Sequence, residues 1–161
     1  MSSATKQLRD KIKEKPLLKI GGAFDAMSAK LVEITNFDAV WAGSFAISAT
    51  HAVPDASIMT MTEFLQVSKN MVDSCDIPII ADCDTGFGGP SNVSYLVKQY
   101  EQAGVAGISI EDKIFPKQNS LLENGKQELF IGDFGISKTA DSLTKDALFS
   151  DTQDMKYVIT G

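Results

Sequence analysis

The 161-residue sequence contains little of what marks secreted or membrane-anchored proteins. It has only two cysteines, Cys75 and Cys83, whose separation does not suggest a disulfide scaffold, so a reducing, cytoplasmic location is expected. No apolar run approaches the length of a membrane span, and the polar first residues show no secretory signal. These absences predict a protein without a membrane partner.

Positive charge is also scarce. Lysine and arginine together number 15 against 21 aspartates and glutamates, which gives a net charge of −6. This acidic balance argues against nucleic acid as a partner. A site for an anionic substrate must therefore be made positive locally, through Lys113, Lys117, a bound metal or backbone amides.

Histidine and tryptophan each occur once. His51 would be the general base if the chemistry needed a histidine, but it has no acidic neighbour in the sequence. The favoured interpretation of His51 is therefore a surface or packed loop histidine. For Trp41, packing in the core is a sufficient explanation.

Apolar runs typical of strands alternate with amphipathic segments typical of helices. The strand-like runs are 17–24, 39–41, 79–81 and 105–110, and the helical patterns between them include 25–35, a segment opened by a capping box at Thr60 and Glu63, and a segment closed by Gly104. Residues 46–60 are predicted as a long connection. Four strands with intervening helices in βα order predict a parallel α/β architecture.

The two ends of the sequence carry weaker patterns. Residues 2–14 predict a short amphipathic helix, within an N-terminal extension of residues 1–16. Residues 129–148 are partly helical in pattern, and 155–160 would serve as a fifth strand. We find no internal repeat or linker, so residues 1–161 are predicted as a single domain.

Acidic residues follow two neighbouring strands at the point where each ends. Asp82 and Asp84 come after one strand, and Glu111 and Asp112 come after the next. Because strands joined by a helix lie parallel, these carboxylates are expected at the same edge of the sheet, where such folds place their sites. Converging carboxylates favour a bound Mg²⁺. The alternative, turn chemistry and solvated strand ends, stays open on spacing alone.

Cations and neutral donors crowd into the loop that follows Glu111. Lys113, Lys117, Asn119 and Ser120 lie there, with Phe115-Pro116 stiffening the middle. This composition indicates a loop that closes over an anion above a metal ion.

Three motifs then resemble a known family. The runs DCDTGFG at 82–88, EDKIFPKQNS at 111–120 and WAGSF at 41–45 resemble the phosphoenolpyruvate mutase branch of the isocitrate lyase superfamily, in unbroken order from about residue 17 to 130. The resemblance implies a (β/α)8 TIM-type barrel and a bound Mg²⁺. It also implies a small-molecule reaction, the interconversion of phosphoenolpyruvate and phosphonopyruvate.

The resemblance also implies roles for individual residues. Asp82 would bind the metal directly, and Asp84 and Glu111 would hold it through water. The catalytic residues would be Asp55, Lys117 and Asn119, although simple turn chemistry is the alternative for Asp55. Contacts to the substrate would come from a larger set: Trp41, Gly43, Ser44, Phe45, Asn119 and Ser120.

The sequence departs from the family in what it does not contain. Five parallel strands at most are predicted, whereas a closed barrel needs eight, so we expect a partial barrel that is either truncated or completed by another chain. The family's phosphoryl-clamping arginine would fall at about Thr160 or Gly161, and a later histidine has no counterpart. Barrels of this family commonly pair through a late helix that is missing here, so a homo-oligomer is an open expectation.

Other functions remain as alternatives. Phosphonopyruvate hydrolases share the scaffold but tend to carry threonine at the place of Asn119, which favours the mutase. Carbon–carbon lyases of the superfamily carry a Lys-Lys-Cys-Gly-His loop at the place of 115–120, and its absence disfavours them. From another class, the chain could be a catalytically inactive partial barrel that serves as an assembly partner.

Overall fold

The computed structural model describes residues 3–111 and 115–117. Within this part of the chain, helices and strands alternate in the following order: α1 (Ser3–Glu14), β1 (Ile20–Ala23), α2 (Ala26–Ile34), β2 (Ala39–Ala42), α3 (Ser44–Thr50), α4 (Met61–Ser74), β3 (Ile79–Asp82), α5 (Pro90–Gln102) and β4 (Gly107–Ser109). The predicted βα alternation is confirmed.

The four strands form one parallel sheet in the order β1-β2-β3-β4. Ile20 pairs with Ala39, Val40 with Ile79, and Ile80 with Gly107. Each strand thus lies beside the next strand in the chain, as expected when a helix connects parallel neighbours. This is the strand order of a (β/α) barrel, so the predicted partial barrel is confirmed.

Local sequence signals set the beginnings of two helices. Asp25 caps α2 by accepting a hydrogen bond from the backbone of Ser28, whose side chain accepts from the Asp25 amide in return. Thr60 and Glu63 form the same reciprocal arrangement at the start of α4, as their spacing predicts. These caps satisfy amide groups that would otherwise have no partner at the helix ends.

The main apolar core lies between the sheet and the helices. Residues of β2 and β3 that alternate along the strands, such as Val40 and Ile79, pack with Phe64 and Met71 of α4. A second cluster joins Ala81 of β3 to Leu96 of α5. Burying each of the larger side chains stabilises the fold by about 1.5–3 kcal/mol. This burial holds the strands against the helices.

Helix α1 covers the amino edge of the sheet. Its Leu8 packs with Ala39 at the start of β2 and with Ala106 just before β4. Buried Asp38 ties the same edge together, because it accepts hydrogen bonds from the Lys15 ammonium and from the Lys19 amide at 3.0 Å. The site described below therefore lies at the opposite, carboxyl edge.

The remaining predictions about elements and domains have different outcomes. The long connection predicted at 46–60 is wrong in its first part, because Ser44–Thr50 forms the helix α3. At seven residues, this helix is too short to show a clear apolar period. The helical pattern at 129–148 and the fifth strand at 155–160 lie outside the described residues, and the single-domain assignment stays a prediction.

None of the helices in the described ranges combines the length and the apolar character needed to cross a bilayer.

Candidate functional site

The candidate site forms where β2, β3 and β4 end. Ser44 follows β2, Asp82 ends β3 and Glu111 follows β4. The register places Ala42 beside Ala81, and Asp82 beside Ser109, so the three strand ends are level. Asp82, Asp84 and Glu111 therefore lie at one edge of the sheet, whereas Asp112, predicted to join them, lies outside the described residues.

Asp82 is oriented by the strand beside it. Its Oδ2 accepts hydrogen bonds from the Ser44 hydroxyl at 2.8 Å and from the Ser44 amide at 3.2 Å. Its Oδ1 accepts a hydrogen bond from the Asp84 amide at 3.2 Å. Burial raises the pKa of Asp82 above its usual value, while the bonds from Ser44 and the charge of Lys117 oppose that rise.

The turn after β3 holds Asp84 in an unusual backbone conformation. Asp84 has φ +48° and Gly86 has φ +84°, both in the left-handed region. The Glu111 amide donates to the Asp84 carbonyl at 2.6 Å, which joins this turn to the end of β4. Left-handed aspartate is uncommon and is found disproportionately at functional sites, where surrounding contacts hold it.

Lys117 lies at the centre of the acidic cluster. Its Nζ is 2.8 Å from Asp84 Oδ1, 2.9 Å from Asp55 Oδ2 and 3.3 Å from Glu111 Oε1. The side chain of Lys117 is only 5% exposed. Asp55 comes from the connection between α3 and α4, so the ammonium joins three separate parts of the chain.

The charged state of Lys117 is well supported by its surroundings. Burial alone would lower the pKa of this ammonium, but hydrogen bonds to Asp55 and Asp84 reverse that effect and raise the pKa above its usual value. The Lys117 backbone amide also donates to Ser57 Oγ at 3.0 Å. Both its side chain and its backbone thus fix residue 117 against the site.

The donor set of the cluster suits a hard divalent cation. Carboxylate oxygens are the ligands that Mg²⁺ prefers. Asp55 Oδ1 and Asp84 Oδ2 are buried, and neither accepts a hydrogen bond from the residues that the structure describes. However, no three acidic side chains in the described ranges are arranged to hold a metal ion. Instead, the Lys117 ammonium lies between Asp84 and Glu111. The chemistry fits the ion, whereas the arrangement fits an ammonium.

The residues predicted to contact substrate are only partly accounted for. Trp41 is half-buried and lies against Gly43, because a Cβ added there would come within 3.2 Å of the tryptophan ring. Phe45 is 55% exposed on α3. Asn119 and Ser120 lie outside the described residues.

The structure also shows the position of His51 and two contacts that the sequence does not predict. His51 ends α3, and its Nδ1 lies 3.0 Å from the Ile47 carbonyl, which agrees with the favoured loop interpretation. The pairing of Ser44 with Asp82 and of Lys117 with Ser57 was not predicted. These pairs are separated by 38 and 60 residues, and no local pattern points to them.

Comparison with known proteins agrees with the geometry. The profile of the family described as phosphoenolpyruvate phosphomutase matches residues 8–140. The chain is 45% identical over 159 residues to a phosphoenolpyruvate phosphomutase of Tetrahymena pyriformis, covering 98% of this chain and 53% of that protein. The predicted resemblance is therefore confirmed.

Solved structures lead to the same family. A crystal structure of phosphoenolpyruvate phosphomutase from Streptomyces platensis subsp. rosaceus superposes with a TM-score of 0.82 at 39% identity, covering 94% of this chain and 51% of that one. A phosphonopyruvate hydrolase in complex with oxalate and Mg²⁺ gives a TM-score of 0.69 at 41% identity, covering 73% and 41%. The chain spans about half the length of these two phosphomutases.

Proposed function

The chain belongs to the phosphoenolpyruvate phosphomutase family, and from this premise we propose that its carboxyl edge serves the interconversion of phosphoenolpyruvate and phosphonopyruvate. One observation carries the proposal: Asp82, Asp84 and Glu111 lie at or just after the ends of adjacent parallel strands, and the Lys117 ammonium contacts Asp84 and Glu111. A cluster of acidic groups around one buried cation is suited to charge stabilisation rather than to packing.

Magnesium is the cofactor that this proposal requires. Asp82 would hold the ion directly, and Asp84 and Glu111 would hold it through water, in keeping with the few direct carboxylates that Mg²⁺ takes. When bound, the ion would stabilise negative charge on the carboxylate and carbonyl oxygens of the substrate. The Mg²⁺ in the similar hydrolase supports this assignment.

The other residues of the cluster have electrostatic and positioning roles in the proposal. Phosphoryl transfer has a loose transition state, so positioning and charge stabilisation account for most of the catalysis. Lys117 would supply positive charge toward the phosphoryl group, and Asp55, 2.9 Å from Lys117 Nζ, would lie near that group. Ser44 would orient Asp82 through the bond at 2.8 Å.

Substrate contacts from the remaining predicted residues are also part of the proposal. Trp41 and Gly43 would form one wall, and the Phe45 amide would donate to a phosphoryl oxygen. The Ser44 amide donates to Asp82, so its predicted contact with substrate would be shared. Asn119 and Ser120 complete the predicted set.

The test is ³¹P NMR of the purified chain with phosphonopyruvate and Mg²⁺. Conversion to phosphoenolpyruvate is expected, and Asp82→Ala should abolish it. Asp73→Ala is the matched control, since it removes an exposed carboxylate on α4 that is not part of the cluster. Unchanged turnover in Asp82→Ala would contradict the proposed role of the cluster.

Hydrolysis of phosphonopyruvate is the second candidate, favoured by the 41% identity to a solved hydrolase. Free phosphate in the same NMR experiment would identify it. Because Asn119 is the basis for preferring the mutase, Asn119→Thr should shift product toward phosphate. An unchanged product ratio would remove that preference.

An inactive chain is the third outcome of the experiment. Arg9 is the sole arginine among the 161 residues, and it lies on α1, which covers the amino edge. An arginine at the phosphoryl group would therefore have to come from outside this sequence. Absence of any ³¹P change, with the fold intact, would support an assembly role.

Partners beyond the substrate, and the cytoplasmic location, stay predictions. Exposed apolar side chains on β1, on α2 and in the turn between them support association with further protein surface. They are Ile20, Phe24, Met27, Leu31 and Ile34. Strand β1 also lies at the edge of the described sheet, where further protein could pair with its backbone.

A further inference from the structure

We propose that the Lys117 ammonium and the divalent cation are alternative occupants of one carboxylate cluster, so that the metal binds only as the ammonium leaves. This inference rests on the proposed function, because it takes Asp82, Asp84 and Glu111 as the residues that hold the metal. It adds a competitor to that site, supplied by the chain itself.

The contacts of Lys117 carry the first step of the argument. Its Nζ lies 2.8 Å from Asp84 and 3.3 Å from Glu111, which are two of the three residues assigned to the metal. Its third carboxylate contact, at 2.9 Å, is with Asp55. The contacts with Asp84 and Asp55 have the lengths of charge-assisted hydrogen bonds, and the longer contact with Glu111 is an ion pair. The ammonium is therefore a bound ligand of the cluster rather than a neighbour of it.

Space and geometry carry the second step. Mg²⁺ requires near-octahedral coordination at about 2.0–2.1 Å and keeps several waters. Waters between the ion and these two residues would need the volume beside Asp84 Oδ1 and Glu111 Oε1. Lys117 Nζ lies in that volume. With the ammonium in this position, no three acidic side chains in the described ranges are set at metal-holding geometry.

Charge carries the third step. Lys117 is 5% exposed and Asp84 is 1% exposed, so water screens this region poorly. Two cations a few ångströms apart repel strongly in such surroundings. The electrostatic attraction of the carboxylates is stronger for a divalent cation than for an ammonium. Because the two cations repel each other, the cluster does not bind both tightly at once.

The exchange also has a consequence for the chain. The position of residue 117 is fixed by a hydrogen bond from its backbone amide to Ser57 Oγ, at 3.0 Å, and by the contacts of its ammonium. If the ammonium leaves the cluster, the Lys117 side chain gives up its contacts with the acidic residues and with Ser44 Oγ. Among the described residues, the hydrogen bond from the Lys117 backbone to Ser57 then remains. Metal occupancy is thereby coupled to the position of residues 115–117.

The first experiment measures Mn²⁺ affinity from the EPR signal of the free ion. The variants are Lys117→Met, which removes the charge and shortens the unbranched side chain by one atom, and Lys117→Arg, which keeps the charge. Because a site occupied by a competitor binds more weakly in proportion to the fraction that is free, Lys117→Met should bind Mn²⁺ about tenfold more tightly or better. Lys98→Met, at an exposed lysine on α5, should match the wild type. Equal or weaker binding by Lys117→Met would overturn the proposal.

The second experiment uses the wild-type chain and needs no variant. ¹H–¹⁵N NMR of the lysine ammonium groups should show a protected Lys117 signal without metal, assigned by its loss in Lys117→Arg. Saturating Mg²⁺ should abolish that protection. A Lys117 signal that persists unchanged at saturation would overturn the proposal, even if Lys117→Met binds Mn²⁺ more tightly through loss of charge alone.

The two proposals fail in different ways. If Asp82→Ala binds Mn²⁺ as well as the wild type does, the metal site of the proposed function is wrong, and this inference is overturned with it. If Asp82→Ala loses Mn²⁺ binding, but the Lys117 ammonium of the wild type stays in place at saturating Mg²⁺, only the exchange is wrong.

Discussion

The turn that carries Asp84 depends on Gly86. This residue has φ +84°, and a Cβ added to it would lie 2.6 Å from Val93 Cγ2 on α5. An alanine in the left-handed region costs roughly 1–2 kcal/mol. Forcing an extra carbon into packed surroundings costs about 1–3 kcal/mol more. We therefore expect Gly86→Ala to lower the free energy of unfolding by about 2–5 kcal/mol.

Urea denaturation followed by circular dichroism measures this change, and Gly22→Ala is the matched control. A Cβ added to Gly22 meets no atom of the described part of the chain within 4 Å, and the φ of Gly22 is not left-handed. The control should change the free energy of unfolding by no more than about 0.5 kcal/mol. A loss below about 1 kcal/mol in Gly86→Ala, or an equal loss in both variants, would refute the reasoning.

Three further predictions concern single side chains. The hydrogen bond from Lys15 holds the pKa of Asp38 below its usual 3.8, so its stabilisation is present above that pH and is lost as the pH falls through the lower, folded-state pKa. Asp38→Asn should therefore destabilise the chain at neutral pH but not in strong acid, as urea titrations across pH would show. Ser44→Ala should lower the free energy of unfolding by about 1.5–3 kcal/mol, since it removes a bond to a charged acceptor, and a loss as small as that of Ser91→Ala on the exposed start of α5 would contradict this. Cys83 is fully buried and its thiol pKa is raised by burial, so Ellman's reagent should label Cys75 alone in the native chain; labelling of both at equal rates would be the contrary result.

Much of the fold follows from local signals in the sequence. The capping box at Thr60 and Glu63 sets the start of α4 because both partners lie within one turn of helix. Alternating apolar runs and helical patterns predict the parallel order, since a helix between two strands brings them side by side. That order alone places Asp82 and Glu111 at one edge of the sheet.

Other features have no local signal. Helix α3 spans only Ser44–Thr50, and Gly43 caps it without a side-chain hydrogen bond, so neither an apolar period nor a cap residue marks it. The position of Lys117 between Asp55 and Asp84 depends on parts of the chain far apart in sequence. The motif predicts that Lys117 belongs to the site, but only the three-dimensional arrangement identifies the carboxylates that it binds.

The account depends most on whether a divalent cation binds at the carboxyl edge of the sheet. The most direct measurement is an anomalous difference map from a crystal of the chain grown with saturating Mn²⁺. We predict a peak within coordination distance of Asp82, on the side facing Asp84 and Glu111, with Lys117 Nζ withdrawn from both. A map without a peak there, in which Lys117 still bridges Asp84 and Glu111, would contradict the account.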